Sequence, residues 1–149
     1  MRRIFWAGLV LLLFGAGSLA VQYWVYGQIQ KRLEIKISGQ WIPVPLLNRF
    51  YFKNAKFEWK DKVELISADI EVKYQCDFIS GRRIRLNIQN QSPVNVRFLG
   101  EWSKMQGHEK VTLNQLKADV ALDPKGLAEI YEIHADSPVF QFHINKSEK

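Results

Sequence analysis

Few side chains in this sequence are of a type that does chemistry, and none stands in a spacing that would let it. The histidines are His108, His134 and His143, and none has a second histidine or a cysteine two to four residues away. Neither a zinc-ligand pair nor an HExxH arrangement is therefore written here. His143 alternates outward from Phe142 and Ile144 and reads as solvated. Cys76 is the one cysteine, which excludes an internal disulfide and any multi-cysteine metal site. With no histidine near it in sequence, it reads as an inert thiol. Glycine-rich phosphate loops, GxSxG and paired-carboxylate signatures are missing. Asp119 and Asp123 lie near a turn, where Asp is ordinary. The expectation is a protein that is not an enzyme, with no catalytic residue, metal or cofactor. One charged cluster remains, Arg82, Arg83 and Arg85 beside Gly81. Guanidinium groups at that spacing suit a phosphate of a lipid headgroup. The plainer alternative is a solvated turn and strand edge. Asn90 and Asn145 begin Asn-Xaa-Ser tripeptides, and Pro93 after the first disfavours its modification.

The elements that would position such groups begin with an uncharged run from Ile4 to Tyr26. As a helix these residues span about 34 Å, enough for a hydrocarbon core of ~30 Å. Trp6 stands near one end, and Tyr23, Trp24 and Tyr26 crowd the other, as an interfacial aromatic belt would. A cleaved signal peptide is the competing reading, with Arg2 and Arg3 as its basic start and Ser18-Leu19-Ala20 as a cleavage box. The apolar run continues past Ala20 through Val25, which favours an uncleaved anchor. Basic residues are nearly balanced across the span, Arg2 and Arg3 against Lys31 and Arg32, so orientation rests on the short N-terminal tail. The expected topology has that tail in the cytoplasm. Net charge is only +6, which favours anionic neighbours such as lipid headgroups and falls short of a nucleic-acid binder.

Beyond about Arg32 the hydrophobic period changes from helical to two. Leu33, Ile35 and Ile37 alternate with polar residues up to Gly39. Pro43 and Pro45 forbid a central strand in the next segment. There Trp41, Leu46 and Leu47 rest either on the lipid surface or on the domain's own sheet. Strands follow through Phe50, Phe52, Phe57 and Trp59; Val63 to Tyr74; Ile84 to Ile88; Val94 to Trp102; Val111 to Leu122; Ala128 to His134; and Phe140 to Ile144. The apolar parity switches near Leu65–Ile66, which predicts a β-bulge there, and it switches again near Asn114–Gln115. Turns are expected at Asp61-Lys62, Ser80-Gly81, Gln106-Gly107 and Asp123 to Gly126. The fold class is mainly β: residues 1–32 form a tail and transmembrane helix with a short polar extension. Residues 33–149 form an exported domain of eight or nine strands, a curved antiparallel sheet, an open groove or a sandwich.

An N-terminal anchor followed at once by alternating strands resembles bacterial envelope proteins of the AsmA/TamB-like family. The resemblance rests on Phe50-Tyr51-Phe52-Lys53-Asn54-Ala55, on Val63 through Tyr74, on Ser80-Gly81-Arg82-Arg83-Ile84, and on Ala118-Asp119-Val120-Ala121-Leu122 through Gly126 to Phe142. These are patterns of alternation and not fixed motifs. The plan is also similar to the LptC-type anchored β-domain of lipopolysaccharide transport. The resemblance implies an inner-membrane anchor, a periplasmic β-groove and a part in lipid movement or envelope assembly. The chain is too short to bridge two membranes alone, since ten strands at ~4.8 Å give about 48 Å.

Two functions follow as expectations. In one, the inner sheet face receives lipid acyl chains through Phe52, Phe57, Ile70, Val72, Leu86, Ile88, Val96 and Phe98. In the other, that face is a closed core, and exposed strand edges dock other envelope or secretion proteins. The expected partners are membrane lipids and other envelope proteins, with no nucleic acid.

Overall fold

The computed structural model describes residues 2–77, 79, 83–101, 104 and 110–145. Among these residues a long helix, α1 (Arg2–Leu33), precedes nine strands: β1 (Ile35–Pro43), β2 (Arg49–Trp59), β3 (Val63–Asp77), β4 (Arg83–Asn90), β5 (Val94–Phe98), β6 (Lys110–Leu113), β7 (Gln115–Asp123), β8 (Gly126–Asp136) and β9 (Gln141–Asn145). All belong to one antiparallel sheet that is open, with β1 and β9 as its edges. The sandwich alternative is thereby set aside. β4 and β5 lie end to end along β3, and β6 and β7 continue that arrangement beside them. The sheet is thus a plain meander in which each long strand pairs with its sequence neighbour, as short connections dictate.

A line of irregularities crosses this sheet, apart from two further register shifts in the β7–β8 pair at Asp119/Val120 and Ala121/Leu122. Register shifts fall between Ser38 and Gln40 in β1, and on either side of Ala55 in β2. The pairs Ala55↔Ala68 and Phe57↔Leu65 accommodate an extra residue in β3 just past Ile66, beside the predicted bulge. The break between β4 and β5 falls at 91–93, and that between β6 and β7 at Asn114, the second predicted switch. Side chains pin the line. Asp69 accepts hydrogen bonds from Asn54 N at 2.7 Å and Ser92 Oγ at 3.3 Å. Asn90 donates to the carbonyls of Ser92 and Asn114 and accepts from Leu116 N at 2.8 Å. Asn90 is therefore fully engaged inside the sheet, at odds with its sequon. Bulges bend strands and increase their twist, so a row of them folds the sheet over its inner face.

That inner face holds the end of α1. Gln22, Val25 and Ile29 lie on one helical stripe, and all three are buried against the sheet. Val25 and Ile29 join Phe50, Phe52, Ile70, Val72, Ile84, Leu86 and Leu122 in one core. This corrects the expectation that everything from Ile4 to Tyr26 faces lipid. The helix is long and apolar enough to cross a membrane, and none of its apolar window is buried, but its last turns belong to the β-domain. Tyr26 stacks on Trp41 at 5.7 Å and packs against Phe52 at 5.6 Å, so it is not part of an aromatic belt; Tyr23 is the aromatic left exposed there. Leu33 ends the helix instead of opening a strand, because Glu34 takes a left-handed φ of 54° and reverses the chain. β1 runs on through Gly39 to Pro43, and as an edge strand it tolerates the proline. β5 stops at Phe98, short of the predicted run to Trp102. Trp102 and the turns expected at Ser80-Gly81 and Gln106-Gly107 lie outside the described residues.

Candidate functional site: an apolar groove

The helix covers only part of the inner face. Beyond its last turn the sheet curls around a groove of about 360 Å³. Ile29 and Leu33 close one end from the helix. The walls are Ile35, Phe52, Phe57 and Trp59 on one side and Ile88, Val96, Leu113, Leu116 and Ala118 on the other. Val63, Leu65, Ile70 and Val72 of β3 form the floor. Every lining residue is apolar. Alternation along each strand explains this composition, since residues two apart share a face. Phe57, Val63, Leu65, Ile88, Leu116 and Ala118 are only half-buried, so the groove is open to solvent. A sheet usually covers such a face with a helix or a second sheet. Here α1 is too short to do so.

Six of the eight residues expected to face lipid line this groove: Phe52, Phe57, Ile70, Val72, Ile88 and Val96. Leu86 does not, because it lies fully buried in the helix-covered core. Phe98 packs at the far end with Val96 and Val111, outside the lining. Sequence alternation assigned the correct face to all eight, yet it carries no information on where the helix ends. The other nine lining residues were not singled out from sequence; of these, Leu65, Leu113 and Leu116 flank the two parity switches that the sequence did reveal.

The outer face is the opposite in character. Lys56 meets Glu64 at 2.9 Å, Arg83 meets Glu129 at 2.8 Å, and Lys117 meets Glu132 at 2.7 Å. Arg85 grips Asp119 with two hydrogen bonds of 2.9 and 2.8 Å and lies 4.3 Å from the Tyr131 ring centroid. The structure therefore places Arg83 and Arg85 across the sheet from the groove, each already paired with a carboxylate, the arrangement of the plainer reading. Arg82 lies outside the described residues. Glu71 is the most enclosed acid of this face. Burial pushes its pKa up, but hydrogen bonds from Gln89 and Tyr51 and the cations Lys73 and Arg49 outweigh this and hold it below the ordinary carboxylate value. Cys76 is half-buried and burial raises its thiol pKa, which suits an unreactive role. His134 and His143 face each other across β8 and β9 with ring centroids 5.5 Å apart. Among the described residues no three metal-binding side chains gather.

Among the described residues the groove thus offers shape and apolar surface and no ionisable group. Such a site can hold a hydrocarbon chain and leave the chain's polar end in water. No family model, curated protein or solved structure matches this sequence.

Proposed function

We propose that this protein is a non-enzymatic, single-pass membrane protein of the bacterial envelope whose β-domain holds acyl chains during lipid handling or envelope assembly. The carrying observation is the groove of about 360 Å³, whose lining among the described residues is apolar throughout. Its volume falls in the ~300–1,000 Å³ range of small-molecule sites. An aqueous chain gains about 0.8 kcal/mol for each methylene buried there. A chain still in the bilayer gains almost nothing, because lipid is as apolar as leucine. The groove therefore suits a chain in transit, not a store that competes with the membrane. In this reading Ile4 onward is an uncleaved inner-membrane anchor, the N-terminus is cytoplasmic and the β-domain is periplasmic. The burial of Gln22, Val25 and Ile29 in the domain supports retention of the helix.

Photo-crosslinking in cells tests this function on the full chain. A benzophenone amino acid at Leu116 is expected to capture a lipid, whereas one at Thr112 on the polar face is not. Ala118→Phe should fill the groove and abolish the Leu116 adduct while the protein still folds. Absence of any lipid adduct from Leu116 refutes the reading.

A second reading, docking of envelope or secretion proteins through strand edges, is favoured by β9. All five of its residues are exposed, and Phe142 and Ile144 extend the inner face to an unpaired edge. Protein adducts in place of lipid adducts would favour it.

A further inference from the structure

The segment between β1 and β2 is held to the helix in a way that the groove does not explain. Val44 to Leu47 form a tight turn, with Leu47 N donating to Val44 O at 3.3 Å. Pro45 takes the second position and Leu46 the third, at φ 65°. Glycine is usual at such a third position, because a side chain there costs about 1–2 kcal/mol. Leu46 nonetheless stands there, 57% exposed, next to Leu47 at 42%. Two helix side chains satisfy the turn's backbone. Gln22 Nε2 donates to Val44 O at 2.6 Å and Leu47 O at 2.8 Å, and its Oε1 accepts from Val44 N at 3.1 Å. Ser18 Oγ accepts from Leu46 N at 3.0 Å. Irregular backbone survives at membrane depth only where such partners replace water.

Helix geometry gives the depth. A hydrocarbon core of ~30 Å that starts at Ile4 ends about 20 residues later, near Trp24. Ser18 then lies about 9 Å below that boundary and Gln22 about 3 Å below it, and helix tilt moves both deeper. Whatever Ser18 and Gln22 hold sits at the same level. We infer that the Val44–Leu47 turn is embedded in the leaflet as a second membrane contact, with Leu46 and Leu47 among the acyl chains. A cleft of about 450 Å³ beside it, lined by Leu13, Phe14, Gly17, Val21, Leu46 and Tyr74 among others, is continuous with the exposed helix and takes a chain of a bilayer lipid. The β-domain is thus seated against the membrane in one pose. Its groove starts at Ile29, about 10 Å further out along the helix than Gln22. The sealed core around Val25, Phe50 and Leu86 separates the two sites.

This inference rests on the reading of α1 as a membrane span, and the test separates the two. Single cysteines at Leu46, Leu12 and Thr112, in a Cys76→Ala background, are labelled with a nitrobenzoxadiazole dye. The full chain is then placed in phosphatidylcholine nanodiscs with doxyl-labelled lipid. The label of Leu46→Cys is expected to lose emission to the doxyl lipid as that of Leu12→Cys does, while that of Thr112→Cys keeps its emission. Leu47→Cys serves if Leu46→Cys does not fold. Quenching at Leu12 with none at Leu46 or Leu47 overturns the inference and leaves the span intact. No quenching at Leu12 overturns both. Quenching at Thr112 as well overturns the single pose.

Discussion

Gln22 is fully buried, and it ties the helix to the turn between β1 and β2. A buried amide with all its partners in place is stabilising, whereas carbonyls left without donors cost about 1–3 kcal/mol each. Gln22→Ala should therefore lower stability by about 2–3 kcal/mol; thermal unfolding in detergent reads this directly. Glu71 has a different signature. Its pKa in the folded protein lies below the ordinary 4.5. The stability it contributes is fully present above about pH 4.5 and is lost as pH falls from there through the folded value. A melting series against pH should show an acid loss below 4.5 that is smaller in Glu71→Gln. Equal acid losses in the two proteins would remove Glu71 from the account. Both residues read from sequence as ordinary polar positions. Their hydrogen-bond partners Val44, Leu47, Tyr51 and Gln89 lie 18 to 25 residues away, which no local pattern encodes.

At the scale of elements, turn chemistry and strand parity carry most of the information. The β2–β3 connection closes with Lys62 N donating to Trp59 O at 2.9 Å, and Lys60 and Asp61 both have positive φ. Three residues join the paired Trp59 and Val63, and the two successive positive φ values at Lys60 and Asp61 are ones that Asn-Gly adopts readily. Replacing Lys60-Asp61 by Asn-Gly should raise stability by roughly 0.5–1 kcal/mol. Loss of the Lys60–Glu34 ion pair at 2.6 Å costs little, since both groups are exposed. An unchanged or lower melting temperature would contradict this. The same scale explains the crease. Parity switches at Leu65–Ile66 and Asn114 were legible because an extra residue flips every later side chain. The matching irregularity at Gly39 was not, since glycine has no side chain to change face. Its φ of 124° places it where a Cβ would stand 2.6 Å from Ala55 Cα.

Taken whole, the molecule does not divide between anchor and head at residue 32. Val25 is completely buried among strands, and Gly126 lies against the carbonyl of Arg32, 3.3 Å from where its Cβ would stand. A chain cut to begin at Gln28 lacks both Gln22 and Val25 and exposes the apolar face around Phe50 and Leu86. It should be recovered unfolded or aggregated, while one cut to begin at Ser18 should fold; far-UV circular dichroism and gel filtration distinguish them. A folded, monomeric 28–149 fragment would show that the helix is dispensable to the core.

Sequence alone determined the apolar helix, the antiparallel strands, their inner and outer faces, the bulge beside Ile66 and the parity switch at Asn114. Each follows from local periodicity, because a side chain's direction is set by its position in a helix or strand. Tertiary structure decided where the helix stops covering the sheet, and with it the difference between Leu86 in a sealed core and Ile88 in an open groove. It also decided that Arg83 and Arg85 meet Glu129 and Asp119. Those outcomes depend on which strands lie side by side and on how far the sheet curls, and both are properties of contacts between residues distant in sequence.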